Sequence, residues 1–322
     1  MQASTLEAYH AVRERAGLID EPLWGAVEVR GADRAGFLHN LLTQDVTSLA
    51  PGTAVEAALV TPAAKLLADL VVLAEPQAHW LIAPRGRVEA VMQTLDRYLI
   101  TEDVRLADRR GSHEVLALQG PRSAEILKAL GGGVRQAAHS CTGEAGALLI
   151  APVEQAPALR RQCGERDAAA VGWDAVNVLR IEAGIPWYGI DMDESNLLPE
   201  TGLERTHASD TKGCYVGQEV IARLRTYGSA SRKLMGLLLD GRDIPCAGDP
   251  IEKGGETLGA ITSACWSPAL QRPIALGYVK RPHYEAGAAV TVRHGRAAMP
   301  AALHVPPFVS PRARSTPSPA GG

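Results

Sequence analysis

The chain has 322 residues, 46% of them hydrophobic and 21% charged, with a formal net charge of -3. That length suffices for two or three domains, and the balance is that of an ordinary soluble globular protein. The slight negative excess argues against a protein that coats nucleic acid, leaving room only for a local basic patch.

Aromatic residues are sparse at 4%, so the core must be built mainly from Leu, Val, Ile and Ala. The first twenty residues carry charges throughout and do not read as a secretory signal. The longest apolar run, LLADLVVLA, is short and is broken by Asp69, so no segment is expected to span a bilayer. A cytoplasmic location follows as an expectation. The cysteines are Cys141, Cys163, Cys214, Cys246 and Cys265. Their number is odd and none forms a C-x-x-C pair, which suits free thiols in a reducing compartment and no metal site of local sequence.

In chain order, GADRAGFLHNLLTQDV predicts a helix with Asp33 as N-cap and Phe37, Leu38, Leu41 and Leu42 on one face. EAALVTPAAKLLADLVVLA predicts two strands around a turn at Thr61-Pro62. RGRVEAVMQTLDRYLI predicts a helix with Val88, Val91, Met92, Leu95 and Leu99 on one side. EVLALQGPRSAEILKALGGG predicts a strand, a Gly-Pro turn and a helix, with Pro121 in its first turn and Gly131 as its stop.

Composition shifts near Ser229. From Lys233 to Pro307 short strands follow one another, with Gly254-Gly255 as a hairpin signal, which predicts a small antiparallel barrel or sandwich. The proline-rich end, 309–322, reads as a disordered tail. There is no internal repeat, no G-x-x-x-x-G-K loop and no G-x-G-x-x-G fingerprint, which lowers the expectation of a nucleotide-driven enzyme.

The stretch DTKGCYVGQEVIARLR, Asp210 to Arg225, draws attention to Cys214. Val216, Val220, Ile221 and Leu224 share a helical face, so a helix is expected to start at about Tyr215 or Val216. Cys214 would then sit at a helix N-terminus beside Lys212, and both features favour a thiolate. Gly213 and Gly217 leave room for an approaching group. The alternative is a turn-forming Gly213 and a small buried plug at Cys214. Between Glu204 and Lys233 there are six Lys or Arg, among them Arg223 and Arg225, against three acids. This local excess suits an anionic ligand or a tRNA-like polyanion, or simply a solvated helix face. A second candidate is RIEAGIPWYGIDM. Here Glu182 could accept two N–H bonds from an amino-pyrimidine edge while Trp187 or Tyr188 packs on its face. The alternative is a surface Arg180–Glu182 pair beside a turn.

These residues carry a resemblance. KGCYVGQE, residues 212–219, is similar to the K-G-C-Y-x-G-Q-E signature of YgfZ-type folate-binding proteins, with Gly213, Tyr215, Gly217, Gln218 and Glu219 as its other positions. Those proteins are relatives of GcvT, the T-protein or aminomethyltransferase of the glycine cleavage system. RIEAGIPWYGID, LALQGPRSAEIL, TLGAITSACWSPALQRPIALGYV and VPPF resemble further family segments in order.

The resemblance implies an α+β three-part cloverleaf around a folate pocket. Its folate-binding region would cover 1–229, with a second subdomain at roughly 111–170, and its C-terminal antiparallel β-barrel 230–308. It implies tetrahydrofolate or a derivative as cofactor, held by Glu182 with Arg180, Tyr188 and Arg223. It implies a functional thiol at Cys214, supported by Lys212 and able to be a transient metal ligand, in a protein with no resident metal. The expected function is then an accessory protein for iron–sulfur enzymes, including tRNA-modifying ones. Its partners would be those client enzymes or cluster-assembly proteins, with nucleic acid weak and membranes excluded.

Two departures bear on this. The aspartate that assists one-carbon transfer in T-proteins falls on Ala90, with Glu89 the nearest acid. A carboxylate displaced by one helical residue points about 100° away. Loss of the aminomethyltransferase reaction is therefore expected, with a tetrahydrofolate-dependent aminomethyltransferase as the alternative. The early turn carries Ala64-Lys65 where YgfZ-type relatives usually have Gly-Lys.

Overall fold

The computed structural model describes residues 2–226 and 230–310. The predicted tail from 311 onward lies outside the described residues.

The chain opens with helix α1 (Ala3–Glu14) and strand β1 (Gly17–Ile19). Strand β2 (Trp24–Arg30), helix α2 (Arg34–Leu41), the hairpin β3 (Ala54–Val60) and β4 (Leu66–Ala74), β5 (His79–Pro84), helix α3 (Val88–Asp96) and β6 (Arg105–Asp108) follow. Then come β7 (His113–Gln119), α4 (Ser123–Leu130), β8 (Arg135–Ala138), β9 (Gly146–Pro152), α5 (Ala156–Gly164) and β10 (Ala169–Val171). Helices α6 (Trp173–Ala183), α7 (Leu198–Thr201), α8 (Glu204–His207) and α9 (Gln218–Thr226) lead to the last strands. These are β11 (Arg232–Leu239), β12 (Pro250–Lys253), β13 (Glu256–Ser267), β14 (Arg272–Lys280), β15 (Ala289–His294) and β16 (Ala297–His304).

The strands form three bodies. One sheet has the order β3-β4-β5-β2-β6, a second the order β10-β1-β7-β9-β8, and the last six strands close an antiparallel barrel. The segment 111–170 does not complete the second sheet by itself, because β1 is inserted between β10 and β7. The hairpin turn at Gly254 and Gly255 has φ of 60° and 86°, the double left-handed geometry of a tight primed turn.

Alternation along β4 decides where the centre lies. Ala68, Leu70 and Val72 face the core under α2 and α3, with Leu38, Leu42, Val91 and Leu95. Val71 and Leu73 point the other way, into a core shared by α1, α6, both sheets and the barrel. Asp69 has the parity of Val71 and Leu73, so period-2 geometry turns its carboxyl towards the junction of the three bodies.

Several local expectations need correction. The Asp33 carboxylate does not cap α2 and instead accepts the Asp103 N–H at 2.8 Å. Pro121 precedes the N-cap residue Arg122, outside the helical turn. Helix α9 starts at Gln218 because Gly217, at φ +82°, cannot lie in a right-handed helix. No helix among the described residues is long and apolar enough to cross a membrane.

Candidate functional site

A cavity of about 300 Å³ lies where the three bodies meet. Strand β4 brings Asp69 to it and β3 brings Glu56. The turn after β8 supplies His139 and Ser140, the loop after α6 supplies Trp187 and Tyr188, and α8 supplies Arg205 and His207. Strand β11 adds Lys233.

Three polar atoms in this wall are sealed from solvent and have no hydrogen-bond partner among the described residues: Asp69 Oδ1, Ser140 Oγ and Tyr188 Oη. Buried polar atoms are paired in almost all native proteins, so three orphans from three separate segments give one cavity a polar lining suited to a ligand or ordered water. Burial pushes the Asp69 carboxyl up from the ordinary 3.8 to about 6, and nearby Glu56 adds to the rise. Burial likewise pushes Tyr188 up to about 12. It drives His207 down to about 4, so that ring is neutral at physiological pH.

Glu56 Oε1 lies 3.0 Å from His139 Nδ1, and Glu56 Oε2 lies 3.9 Å from His207 Nδ1. Trp187 packs edge-on against Trp24 at 5.6 Å and Trp173 at 4.9 Å, giving the cavity a firm aromatic side. Cys141 also lines it, but burial pushes that thiol up to about 12 and leaves it protonated.

The predicted site residues are placed differently. Of those, only the candidate packing rings Trp187 and Tyr188 are in the cavity wall. The Glu182 carboxylate is fully buried and saturated. Its Oε2 accepts from Tyr9 Oη at 2.8 Å and from Arg13, while its Oε1 accepts from Ser267 Oγ and, at 3.4 Å, from the Ala269 N–H. Arg13 also pairs with Glu144 at 2.7 Å, so this network clamps α1 and α6 to the barrel and has no oxygen left for a pterin. Arg180 is equally buried and spends its guanidinium on Asp191 at 2.6 Å and Ser263 Oγ at 2.8 Å.

Lys212 is a structural cation. Its three ammonium protons meet the carbonyls of His39, Leu42 at 2.6 Å and Gln44 at 3.1 Å. A cation there satisfies carbonyls left unpaired at the end of α2. Its ring neighbour Tyr215, 4.9 Å away, is buried against the β3–β4 hairpin, and Gly217 approaches that hairpin so closely that a Cβ would lie 2.7 Å from Thr61 O. Cys214 and Gly213 are exposed, four and five residues before α9, so the thiol is neither at a helix N-terminus nor in the cavity. Gln218 begins α9, and Glu219 and Arg223 point to solvent. Arg225 is tied to Asp210 and to Glu204 O. Glu89 is exposed and bonds Gln93 at 3.1 Å.

The central residues Asp69, Glu56, Ser140, His139 and His207 escaped the sequence reading. One signal existed for Asp69, an acid interrupting an otherwise apolar strand. The others follow no local pattern.

Fold and site together define a three-bodied α+β protein that encloses a small-molecule cavity between two sheets and a closed barrel. Residues 1–141 match the GCVT N-terminal domain, and residues 232–310 match the glycine cleavage T-protein C-terminal barrel domain. The chain is 32% identical to an aminomethyltransferase of Rubrobacter xylanophilus, over 91% of this chain and 84% of that one. It is 30% identical to an aminomethyltransferase of Streptomyces avermitilis, over 89% and 84%. The crystal structure of glycine cleavage system aminomethyltransferase T from Bartonella henselae shares the fold, with a TM-score of 0.86 at 24% identity over 95% of this chain and 90% of that one. The chain belongs to the glycine cleavage T-protein family. Full-length relatives named as aminomethyltransferases overturn the expectation of a non-enzymatic iron–sulfur accessory protein, and with it the expectation that the transferase reaction is lost.

Proposed function

We propose that this protein is a tetrahydrofolate-dependent aminomethyltransferase working in the cavity between its three bodies. The observation that carries the reading is the convergence there of Asp69 Oδ1, Ser140 Oγ and Tyr188 Oη, all buried and unpaired among the described residues. Tetrahydrofolate would supply the amine nitrogen that receives the one-carbon unit. Ser140 and Tyr188 would orient polar edges of the substrate, and the aromatic side around Trp187 would pack on its ring. Arg205 and Lys233 would attract its carboxylates.

Asp69 is the proton handler in this reading. A carboxyl that titrates at about 6 is poised to take a proton from an attacking nitrogen or return one to a leaving group near neutral pH. It stands in for the aspartate whose expected position carries Ala90. The octapeptide at 212–219 resembles the YgfZ signature, while its contacts support a structural role. All five cysteines are free, which supports a reducing, cytoplasmic setting.

The test is folate-dependent aminomethyl transfer by the purified protein, alongside tetrahydrofolate binding by calorimetry. Turnover is expected with the wild-type chain. Tight tetrahydrofolate binding without any transfer would overturn the reading.

A further inference from the structure

Outside the lining of the central cavity, the barrel carries three donor atoms of different chemistry. Cys246 Sγ, a carboxylate oxygen of Asp249 and a ring nitrogen of His294 all lie within 4.8 Å of one another, and none of these residues lines the cavity.

Two come from one turn. The Asp249 N–H donates to Cys246 O at 3.1 Å, and the Cys246 N–H donates to Asp249 Oδ2 at 2.7 Å. Gly248, at φ +90°, lets the turn double back. Bonds from Gly248 N to Ile261 O at 2.8 Å and from Ile261 N to Asp249 O at 2.9 Å stitch the turn to β13. The third donor comes from the barrel register. Ile251 pairs with Val292 across β12 and β15, so two residues further out Asp249 stands opposite His294. That pair shares the face of Ile251 and Val292, whose side chains are fully buried in the barrel core, and it closes the core at its rim. His294 Nδ1 and Asp249 Oδ2 are 2.8 Å apart.

An Asp–His pair alone would be an ordinary surface ion pair. The thiol at the third corner changes the chemistry. A thiolate and a carboxylate carry two negative charges and a neutral imidazole carries none, a set that neutralises a divalent ion. Sulfur and imidazole nitrogen select a zinc-class ion over magnesium or calcium. Cys246 and His294 are exposed, which provides an entry path and leaves a fourth position for water.

We propose that Cys246, Asp249 and His294 bind one zinc-class divalent ion at the rim of the barrel. On binding, the thiol proton leaves to solvent as the metal–sulfur bond forms. The imidazole presents the Nδ1 lone pair with its proton on Nε2, and the Asp249–His294 hydrogen bond gives way to metal–oxygen and metal–nitrogen bonds. No electrons are transferred.

The experiment uses the full chain, stripped with chelator and kept reduced with a phosphine. Co²⁺ is titrated while thiolate-to-cobalt charge-transfer absorption is followed, and Zn²⁺ is then added in competition. One Co²⁺ per chain is expected, displaced by Zn²⁺, and unchanged in Cys214→Ser. Cys246→Ser should abolish the band, and His294→Ala should weaken binding by at least about tenfold. All three positions are exposed, so circular dichroism should show each variant folded. Absence of a stoichiometric band in the wild type, or a band that survives Cys246→Ser, would overturn the proposal.

Discussion

Replacing Asp69 by Asn tests the proposed centre through stability and activity together. The carboxyl rises from the ordinary 3.8 to about 6, chiefly because the cavity removes its water. A raised acid favours the folded state while it stays protonated. That contribution is complete below pH 3.8 and is lost as pH climbs through 6. At about 1.4 kcal/mol per pH unit, the loss amounts to about 3 kcal/mol. Asn keeps the shape and cannot ionise. The wild-type chain should therefore lose about 3 kcal/mol relative to Asp69→Asn between pH 3 and pH 7, with Asn the more stable at neutral pH. The assay is urea unfolding at both pH values. In parallel, aminomethyl transfer should fall by about 10² to 10⁴-fold, the usual worth of a general acid–base group, with tetrahydrofolate affinity largely kept. Parallel stability curves for the two proteins, with transfer within threefold of wild type, would refute both the burial of this carboxyl and its role.

Three further outcomes follow from the contacts. Lys212→Met leaves three carbonyls at the end of α2 without their cation and should cost about 2 to 3 kcal/mol in urea unfolding, while transfer per folded molecule stays unchanged. Arg180→Met strands the buried Asp191 carboxylate and should cost about 3 to 5 kcal/mol; a loss under about 1 kcal/mol would mean that the pair is not sealed as described. Cys214→Ala removes an exposed sulfur and should shift stability by less than about 0.5 kcal/mol with transfer intact, so a tenfold drop in turnover would restore a working thiol.

Much of the fold could be read locally. The β3–β4 hairpin, the helix after Ala83 and the barrel strands before β16 follow from periodicity and turn chemistry, because those signals act over a few residues. Residues that were chosen by motif behaved otherwise. Lys212 and Gly217 are held in the octapeptide by α2 and the β3–β4 hairpin, contacts about 150 to 170 residues away in sequence. Glu182 and Arg180 are spent on clamping α6 to its neighbours. A chemically rich segment can be kept for packing as readily as for catalysis, and spacing alone does not separate the two.

Motif resemblance in the sequence pointed to the broad T-protein family, and the mixed α+β class and the terminal barrel could be read from hydrophobic periodicity and turn residues, which are properties of neighbours along the chain. Only the tertiary structure decided the site. Asp69 faces the junction because of strand parity, and Ser140 and Tyr188 meet it there from two other segments. Asp249 likewise stands opposite His294 only through the register of β12 on β15. Burial and convergence are relations between distant residues, and it is burial that turns an ordinary carboxyl into one that titrates near neutral pH.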